Sequence, residues 1–329
     1  MEAGIYDYAK SRYKSLRQKI GHWKNTLTDP HPKLLVIVYH RVLPEVTFNP
    51  FNTIVSLKTF VRQIEMLTKR YSIMPLSDAV GGADSWKIRG ETLLVITFDD
   101  GYWDNYEIVF EILNKKGLPA TFFLAVDYIN SGKPLWDWDI ITLVNRLSAG
   151  ESIPVGAETF EREVGESNLS FAFRLIERLK RTQAEVIQEV VGYLKSRLGD
   201  DASLCGPMSS CMTWKQVQVM SAHGMEIGSH SMSHRSLSRI APEEALSEIK
   251  NSKQIIENHI GKRCVHFAFP FGSRKDYNQA VLGGVRDAGF RTSLLNIHGY
   301  NRMPQDAPDF FCFKRVIMTE TTDIRYLLG

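Results

Sequence analysis

Two adjacent carboxylates and a pair of histidines are the residues of this sequence best suited to chemistry. Asp99 and Asp100 follow an apolar run, 93–96, that predicts a buried strand. Neighbouring carboxylates raise each other's pKa, so a bound cation or a proton-transfer role would explain why both are kept. His230 and His234 lie four positions apart and can converge on one ion if the chain coils by about one turn there. One Asp with two His predicts a metal site with open positions, which leaves the other Asp free to act as a base.

Simpler structural roles exist for both pairs. An Asp can cap a helix or occupy a surface turn, but capping accounts for one carboxylate and not for two that follow a buried strand. The two histidines could be exposed loop residues, yet they follow an apolar segment and the sequence holds a matching carboxylate. We therefore favour the functional interpretation of all four residues.

The elements that must position these residues can be predicted from apolar patterning. Helical patterns occur at 57–67 behind the N-cap candidate Ser56, at 106–116, from Pro242 onward, and at 276–288. They alternate with strand segments, which predicts an α/β fold with a parallel sheet, closed or nearly closed. A length of 329 residues suits a single α/β barrel. The seven predicted strands are mostly continuous apolar runs, as parallel strands covered on both faces require: 34–40, 93–100, 120–126, 225–231, 266–271, 292–296 and 313–318.

Two segments fall outside this alternation. Residues from about 130 to 212 separate the third and fourth strands and predict a helical insertion at the barrel mouth, with a long helical pattern at 171–198. Residues 1–29 predict a basic N-terminal helical arm, and residues 30–329 then form the barrel domain. The arm could lie on a membrane surface or pack against the outside of the barrel, and its thin apolar stripe favours packing.

Composition favours a globular protein in a reducing compartment. The formal net charge of +3 is too small to imply a nucleic-acid partner. The four cysteines show no CxxC spacing and are expected to be unpaired thiols. Charged residues interrupt 1–20, so no secretion signal is expected, and no apolar run approaches the roughly 20 residues of a membrane span. We expect a cytoplasmic protein, with peripheral contact at the inner face of a membrane left open by residues 1–29.

Unusual polar residues collect at the predicted ends of several strands. His40 ends the first strand, the Asp pair ends the second, His230 ends the fourth, and Pro270 with Phe271 ends the fifth. In a β/α barrel the carboxyl ends of the strands form the face that carries the chemistry. Neighbouring strand residues point to opposite faces, so the two Asp can share a site only if the strand bends or ends there, which Gly101 permits.

These segments resemble the motifs of the NodB-like polysaccharide deacetylases, carbohydrate esterase family 4, over about residues 33–318. Thr97-Phe98-Asp99-Asp100-Gly101 is similar to the first motif, His230-Ser231-x-x-His234 to the second, and Pro270-Phe271-Gly272 to the end of the third. The resemblance implies a distorted (β/α)7 barrel of the NodB-homology type. It also implies a divalent metal and hydrolysis of an acetyl group from an N-acetylated sugar.

The resemblance further implies a role for each residue of the two pairs. Asp99 would be the general base, and Asp100, His230 and His234 would bind the metal. Zn²⁺ is the expected ion, although two His and one carboxylate also suit Fe, Co or Ni. The backbone N–H groups near Gly101 and Tyr102, together with the metal, are candidate donors to the oxyanion.

The sequence departs from the family pattern at two points. Ala268 stands where the third motif usually has an arginine that orients the base, and the last strand, 313–318, lacks the usual histidine acid. Tyr39-His40-Arg41 resembles a branch of the family that opens with such a strand, and there we expect other strands to replace the lost groups. Arg41 and Arg315 are therefore candidates to orient Asp99.

Histidine and aromatic candidates complete the predicted site. His40 is the first candidate for the general acid or for a sugar contact, with a satisfied buried histidine as the alternative. His298 is the second candidate acid, with a surface loop position as the alternative. Residues expected to line the site are Tyr102, Trp103, Pro270 and Phe271.

The leading functional prediction is a metal-dependent hydrolase that deacetylates an N-acetylated polysaccharide, oligosaccharide or lipid-linked glycan precursor. One alternative keeps the site and changes the substrate to a simple amide or a formylated sugar. Another is a saccharide-binding pseudoenzyme, which the two departures motivate and the four retained residues oppose. The sequence leaves the oligomeric state open.

Overall fold

The computed structural model describes residues 33–81, 92–148, 150–199, 210–302 and 310–327. The predicted arm at 1–29 lies outside these residues. The chain divides into two compact units, and residues 32–135 and 202–320 belong to the first. The second unit contains residues 136–201 and 321–329. All predicted site residues belong to the first unit.

Seven strands of the described residues overlap the seven predicted segments, and six short strands were not predicted, two of them in the insertion that was expected to be helical. Those of the main sheet are almost entirely buried, as the continuous apolar runs predict. In chain order the strands are β1 (Lys33–Tyr39), β2 (Arg41–Leu43), β3 (Ile54–Ser56), β4 (Ser72–Ile73), β5 (Leu93–Phe98), β6 (Thr121–Leu124), β7 (Ile153–Val155), β8 (Glu158–Phe160), β9 (Glu226–Ser229), β10 (His266–Ala268), β11 (Thr292–Leu294), β12 (Asn301–Arg302) and β13 (Val316–Ile317).

Among the described residues, helices alternate with strands in the first unit, and the second unit adds three more helices. In chain order the helices are α1 (Leu57–Arg70), α2 (Leu76–Gly81), α3 (Glu111–Lys115), α4 (Val126–Ser131), α5 (Trp136–Val144), α6 (Asn168–Leu179), α7 (Ala184–Leu198), α8 (Trp214–Ala222), α9 (Pro242–Ile260) and α10 (Gln279–Asp287). A π-helical turn, Asn105–Phe110, precedes α3, and short 3-10 turns occur at Leu237–Arg239 and Ile324–Tyr326.

Seven parallel strands form a barrel in the first unit. Their order is β11-β10-β9-β6-β5-β1, and β13 then pairs parallel to β1 with Ile37 opposite Val316. Just before β13, Phe313 forms a parallel bridge with Leu294 in β11, which brings the last strand back beside the first in this order. The predicted distorted (β/α)7 barrel is confirmed. Short additions flank it, with β12 antiparallel to β1 and β4 parallel to β5.

A row of aromatic rings joins the sheet to α1. Phe98 stacks on Tyr39 at 5.4 Å and on Phe122 at 4.9 Å, and Phe60 of α1 meets Tyr39 edge-on at 5.2 Å. The three strand residues are register partners on adjacent strands, so they share one face of the sheet. Their neighbour Thr97 must therefore point to the opposite face, toward the barrel interior.

Two predicted helix starts, at Ser56 and Pro242, are confirmed. The Ser56 hydroxyl accepts a hydrogen bond from the backbone N–H of Thr59 at 3.2 Å and so caps α1. Pro242 occupies the first turn of α9, and Gly261 ends that helix in a left-handed conformation. These signals were readable because caps depend on one or two residues close in the chain.

The second unit corrects one prediction. The helical pattern at 171–198 is not one helix, because α6 ends at Leu179 and α7 begins at Ala184. Between them the Thr182 hydroxyl donates to the carbonyl of Leu179 at 2.8 Å, and Gln183 is extended. A Thr side chain that bonds a nearby carbonyl competes with the helical pattern. The placement of this segment at the barrel mouth stays a prediction.

None of the helices in the described part of the chain combines the length and apolar character that crossing a bilayer demands.

Candidate metal and catalytic site

The backbone turns sharply where β5 ends, and this turn brings the two carboxylates together. The strand ends at Phe98, and the Asp99 N–H still donates to the Tyr39 carbonyl at 3.0 Å. Asp100 and Gly101 then take φ values of 77° and 82°. The strict alternation of side chains stops there, so Asp99 and Asp100 can face the same site. A Cβ on residue 101 would lie 2.9 Å from Ile129 Cδ1, which gives a second reason for glycine.

The two histidines lie on an irregular loop after β9. His230 still donates its N–H to the Leu124 carbonyl at 2.8 Å, as a strand residue would. Ser231 and His234 then have φ values of 65° and 54°. The expected helical turn between the histidines is therefore wrong. The two left-handed residues, and not a coil of helix, bring the second imidazole back toward the first.

Asp100, His230 and His234 converge on one point. Asp100 Oδ1 lies 3.4 Å from Nε2 of His230 and 3.4 Å from Nε2 of His234. One ligand atom from each residue lies within 4.8 Å of the others, and all three residues are buried. The Nδ1 atom of His230 is 2.7 Å from the Ala268 carbonyl, to which its proton is donated in the tautomer that leaves Nε2 free. Ala268 thus contributes a backbone group to this arrangement.

The donor set fits a divalent cation. Asp100 Oδ1 is buried and has no hydrogen-bond partner, although a buried carboxylate oxygen normally has one. Burial alone would raise the pKa of Asp100, but the neighbouring imidazoles lower it below its usual range. Burial lowers the pKa of His234 to about 3, so its ring is neutral and can act as a ligand. Burial alone would lower the pKa of His230, but the neighbouring Asp99 and Asp100 carboxylates outweigh burial and raise that pKa, so this ring releases its proton when a metal binds. One carboxylate and two imidazoles are ligands that Zn²⁺ takes.

Asp99 is held by an arginine from the far end of the chain. Arg315 donates to Oδ1 at 2.7 Å and to Oδ2 at 2.6 Å, and both side chains are fully buried. The same guanidinium donates to Asn296 Oδ1 at 2.7 Å and to the Leu295 carbonyl at 3.2 Å. Burial raises the pKa of Asp99, but Arg315 and His230 outweigh burial and keep the pKa below its usual value. The carboxylate is therefore ionised at neutral pH, with its oxygens in one fixed orientation.

His40 lies at the end of β1 in the same electrostatic environment. Its Nδ1 atom is buried and has no hydrogen-bond partner. Burial lowers the pKa of His40, while the charges of Asp100 and Asp99 act in the opposite direction. The ring is therefore neutral at pH 7, and once protonated it releases its proton more readily than an ordinary imidazolium.

The chain matches a family of known enzymes over well over half its length. The sequence model described as polysaccharide deacetylase matches residues 87–293. The chain belongs to this polysaccharide deacetylase family.

Two curated relatives agree with this deacetylase assignment. YxkH of Bacillus subtilis, whose name places it among polysaccharide deacetylases, is 21% identical over 209 residues, which is 64% of this chain and 46% of the relative. A peptidoglycan-N-acetylglucosamine deacetylase of Bacillus cereus is 32% identical over 95 residues, which is 28% of this chain and 35% of the relative. The matches thus span less than half the length of both curated relatives.

Solved deacetylase structures share the fold. The deacetylase PplD of Streptococcus pyogenes, in complex with acetate, has a TM-score of 0.57 at 16% identity, covering 91% of this chain and 97% of that one. The de-N-acetylase of Aggregatibacter actinomycetemcomitans has a TM-score of 0.55 at 14% identity, covering 90% and 98%. At these identities the likeness establishes the barrel fold.

The other candidate arginine of this deacetylase family member has a different partner. Nε and NH2 of Arg41 donate to Asp104 Oδ1, both at 3.0 Å, and the guanidinium lies 4.3 Å from the centre of the Tyr102 ring. Asp104 Oδ2 accepts the Val42 N–H at 2.8 Å, and Asn105 donates to the His40 carbonyl at 2.9 Å. Orientation of Asp99 therefore falls to Arg315, whereas Arg41 ties the end of β1 to the turn that follows the Asp pair.

The remaining predicted residues surround the site to different degrees. Tyr102 is buried and forms an isolated antiparallel β-bridge with Cys211. Trp103 is partly exposed, and its backbone N–H donates to the Ser210 carbonyl at 3.0 Å. Pro270 is buried, and the Phe271 ring lies 4.8 Å from the His234 ring.

His298, the second candidate acid, is partly exposed in the segment after β11. The carbonyl of its neighbour Ile297 accepts the Arg315 N–H at 3.0 Å. His40 is the candidate acid that shares an electrostatic environment with the Asp pair, so the acid role we carry forward belongs to His40.

Sequence reasoning missed three residues that hold the site. Asp104 and Asn105 form hydrogen bonds with the backbone of residues 40–42, and the side-chain oxygen of Asn296 accepts from Arg315. Asp104 and Asn105 lie within six residues of Asp99, so their polar character next to the motif was an available signal. Asn296 carried no such signal, because its role depends on the meeting of two strand ends.

Proposed function

We propose that this protein is a metal-dependent hydrolase that removes an acetyl group from an N-acetylated saccharide. The convergence of Asp100, His230 and His234 beside the arginine-held carboxylate of Asp99 carries this proposal. Membership of the polysaccharide deacetylase family supports it, as does the relative named for deacetylation of peptidoglycan N-acetylglucosamine.

In this proposal the metal site holds the ion that activates the water and the amide. Asp100, His230 and His234 would hold a divalent ion, most suitably Zn²⁺, with Co, Ni or Fe as alternatives. Such an ion supplies positive charge that polarises the amide carbonyl and lowers the pKa of a water molecule.

The protein's own groups move the protons. Asp99 accepts a proton from the attacking water as that water adds to the acetyl carbon, and Arg315 keeps the carboxylate aligned. Backbone N–H groups near Gly101 or Tyr102 are the candidate donors to the oxygen that becomes negative. Cleavage of the C–N bond then releases acetate and an amine: the proton that Asp99 took from the water passes to the neutral His40 ring, which delivers it to the departing nitrogen.

The substrate is an N-acetylated sugar in a polymer, an oligosaccharide or a lipid-linked precursor. We propose a cytoplasmic location, which favours a precursor over a finished wall polymer. Residues 1–29 leave peripheral contact with a membrane open as the alternative to packing of this arm on the barrel.

Acetate release from N-acetylglucosamine oligomers tests this function. The chain stripped with a chelator and reloaded with Zn²⁺ is compared on these oligomers, on simple amides and on an N-formylated sugar. We expect acetate release only from the oligomers and only with metal. Faster turnover of amides or of the formyl sugar would assign the site to another substrate, and saccharide binding without turnover would assign a pseudoenzyme.

A further inference from the structure

The segment 230–234 carries two of the three proposed metal ligands without regular secondary structure. Left-handed φ values at Ser231 and His234 are conformations that side chains disfavour, so contacts from outside the segment must hold it in place. This segment is called the histidine loop below. Its backbone partners identify what keeps its shape.

A buried carboxylate from α9 holds the N–H groups of the histidine loop. Glu248 Oε2 accepts from Met232 N at 2.8 Å and from Ser233 N at 2.9 Å, while Oε1 accepts from the Ser233 hydroxyl. The Glu248 residue is only 8% exposed. Hydrogen bonds to an ionised carboxylate are shorter and stronger than bonds between neutral groups, so Glu248 is a firm anchor for this loop.

The start of α4 holds the carbonyl groups of the same loop. Val126 N donates to the Ser231 carbonyl at 3.2 Å, and Asp127 N donates to the Met232 carbonyl at 2.9 Å. The Tyr128 hydroxyl donates to the Ser233 carbonyl at 3.3 Å. The loop therefore has its donors bound on one side by Glu248 and its acceptors bound on the other by α4.

A second residue of α9 extends this support to the first histidine. Ser252 lies one helical turn after Glu248 on the same face of the helix. Its hydroxyl is 2.7 Å from the Ser229 hydroxyl, which accepts the Ser231 N–H at 3.2 Å. One face of α9 thus supports the loop from the end of β9 to Ser233.

We propose that Glu248 is a positioning residue that sets the distance between the two imidazoles before a metal binds. This inference rests on the proposed metal site. Glu248 does not touch the ion; it fixes the backbone between His230 and His234. Outer groups that orient metal ligands typically change metal affinity by about 10- to 100-fold when they are removed.

The test measures metal affinity on the full chain. Metal-free protein is titrated with Zn²⁺ by calorimetry and with Co²⁺ by visible absorption. Glu248→Gln removes the charge that strengthens these bonds and replaces one carboxylate oxygen with an NH2 group, which cannot accept from a backbone N–H and pairs with the Ser233 hydroxyl only if that hydroxyl becomes the acceptor. We expect about 10- to 100-fold weaker binding and a changed Co²⁺ spectrum, because the ligand geometry changes.

Glu257→Gln is the matched control. Glu257 lies on the same helix, accepts the Cys264 N–H at 2.9 Å and pairs with Lys253 at 3.0 Å. It has no bond to the histidine loop among these contacts, so the metal affinity of Glu257→Gln should equal that of the unaltered protein.

Three outcomes separate the two proposals. Equal metal affinity of Glu248→Gln and unaltered protein overturns the positioning role and leaves the metal site standing. Failure of the unaltered protein to bind metal overturns the proposed site and the inference with it. If Glu248→Gln does not fold, Ser233→Ala removes one bond to Glu248 and should weaken binding between about twofold and tenfold. Unchanged affinity in that variant overturns the positioning role.

Discussion

At each end of the barrel a carboxylate lies close to an imidazole. The two clusters differ in how their polar atoms are hydrogen-bonded. At the amino ends of the strands, Glu226 accepts from the N–H groups of Leu76 and Ser77, at 2.8 and 3.0 Å, and from the Thr121 hydroxyl at 2.7 Å. His266 lies 2.8 Å from the Ser77 hydroxyl through Nε2 and 2.7 Å from a Thr292 hydroxyl through Nδ1. The hydrogen bonds of these polar groups are therefore made within the protein.

At the carboxyl ends of the strands, two buried polar atoms lack hydrogen bonds. Asp100 Oδ1 and His40 Nδ1 are buried without a hydrogen-bond partner. Of the non-glycine residues with positive φ in the described chain, most lie here: Asp100, Ser231, His234 and Phe271. Such conformations cost on the order of 1–3 kcal/mol each. A cluster of Asp or Glu with His is therefore a weak sign of function by itself, whereas the same cluster with unpaired atoms and a strained backbone is a strong one.

Loss of the proposed base, Asp99, should give the largest effect. Asp99→Asn keeps the shape of the side chain but cannot accept a proton from water, so we expect kcat to fall by about 10²- to 10⁴-fold. Steady-state acetate release measures this, with circular dichroism to verify folding. Full activity in a folded Asp99→Asn protein would remove Asp99 from the mechanism.

The amino-end cluster should affect stability and leave chemistry unchanged. Burial raises the pKa of Glu226, but His266, Ser77 and Thr121 outweigh it and lower the pKa to about 2 from the ordinary 4.5. The stabilisation is thus fully present above pH 4.5 and is lost as the pH falls toward 2. The shift corresponds to a free energy of unfolding on the order of 3 kcal/mol.

Glu226→Gln checks this with a stability curve. Denaturant unfolding between pH 7 and pH 3 should show lower stability than the unaltered protein at pH 7 and a shallower decline in acid. The activity per folded molecule should not change. A fall in kcat that matches that of Asp99→Asn would contradict the distinction between the two ends.

Replacement of the orienting arginine should give a smaller effect than loss of the base. Arg315→Lys retains the charge but cannot form the two parallel bonds to Asp99, so we expect kcat to fall by about tenfold. The value of KM should change little, because Arg315 acts through Asp99 and not on the substrate. A large rise in KM with unchanged kcat would instead indicate a substrate contact.

Prediction from sequence succeeded where the signal was local. The strands were readable from continuous apolar runs, and the Asp and His pairs stood out because such residues are rare after buried strands. Glu248 could not be found in this way, because it looks like any acidic residue on a charged helix and its role depends on the loop that folds against it. The break after Leu179 was missed for a related reason, since apolar spacing continues through it.

The role of Arg315 could be predicted only in part from the sequence. The absence of an arginine at Ala268 showed that another cation was needed, and it limited the choice to a few arginines near strand ends. The sequence could not decide between Arg41 and Arg315, because the decision depends on which strand end meets Asp99 across the barrel.

Anomalous diffraction from crystals of the Zn²⁺-loaded protein, recorded on both sides of the zinc absorption edge, tests the central claim most directly. We predict a single strong peak bounded by Asp100, His230 and His234, with the Asp99 carboxylate beside it and still paired with Arg315. A peak elsewhere, or none at these three residues in protein that releases acetate, would contradict the account.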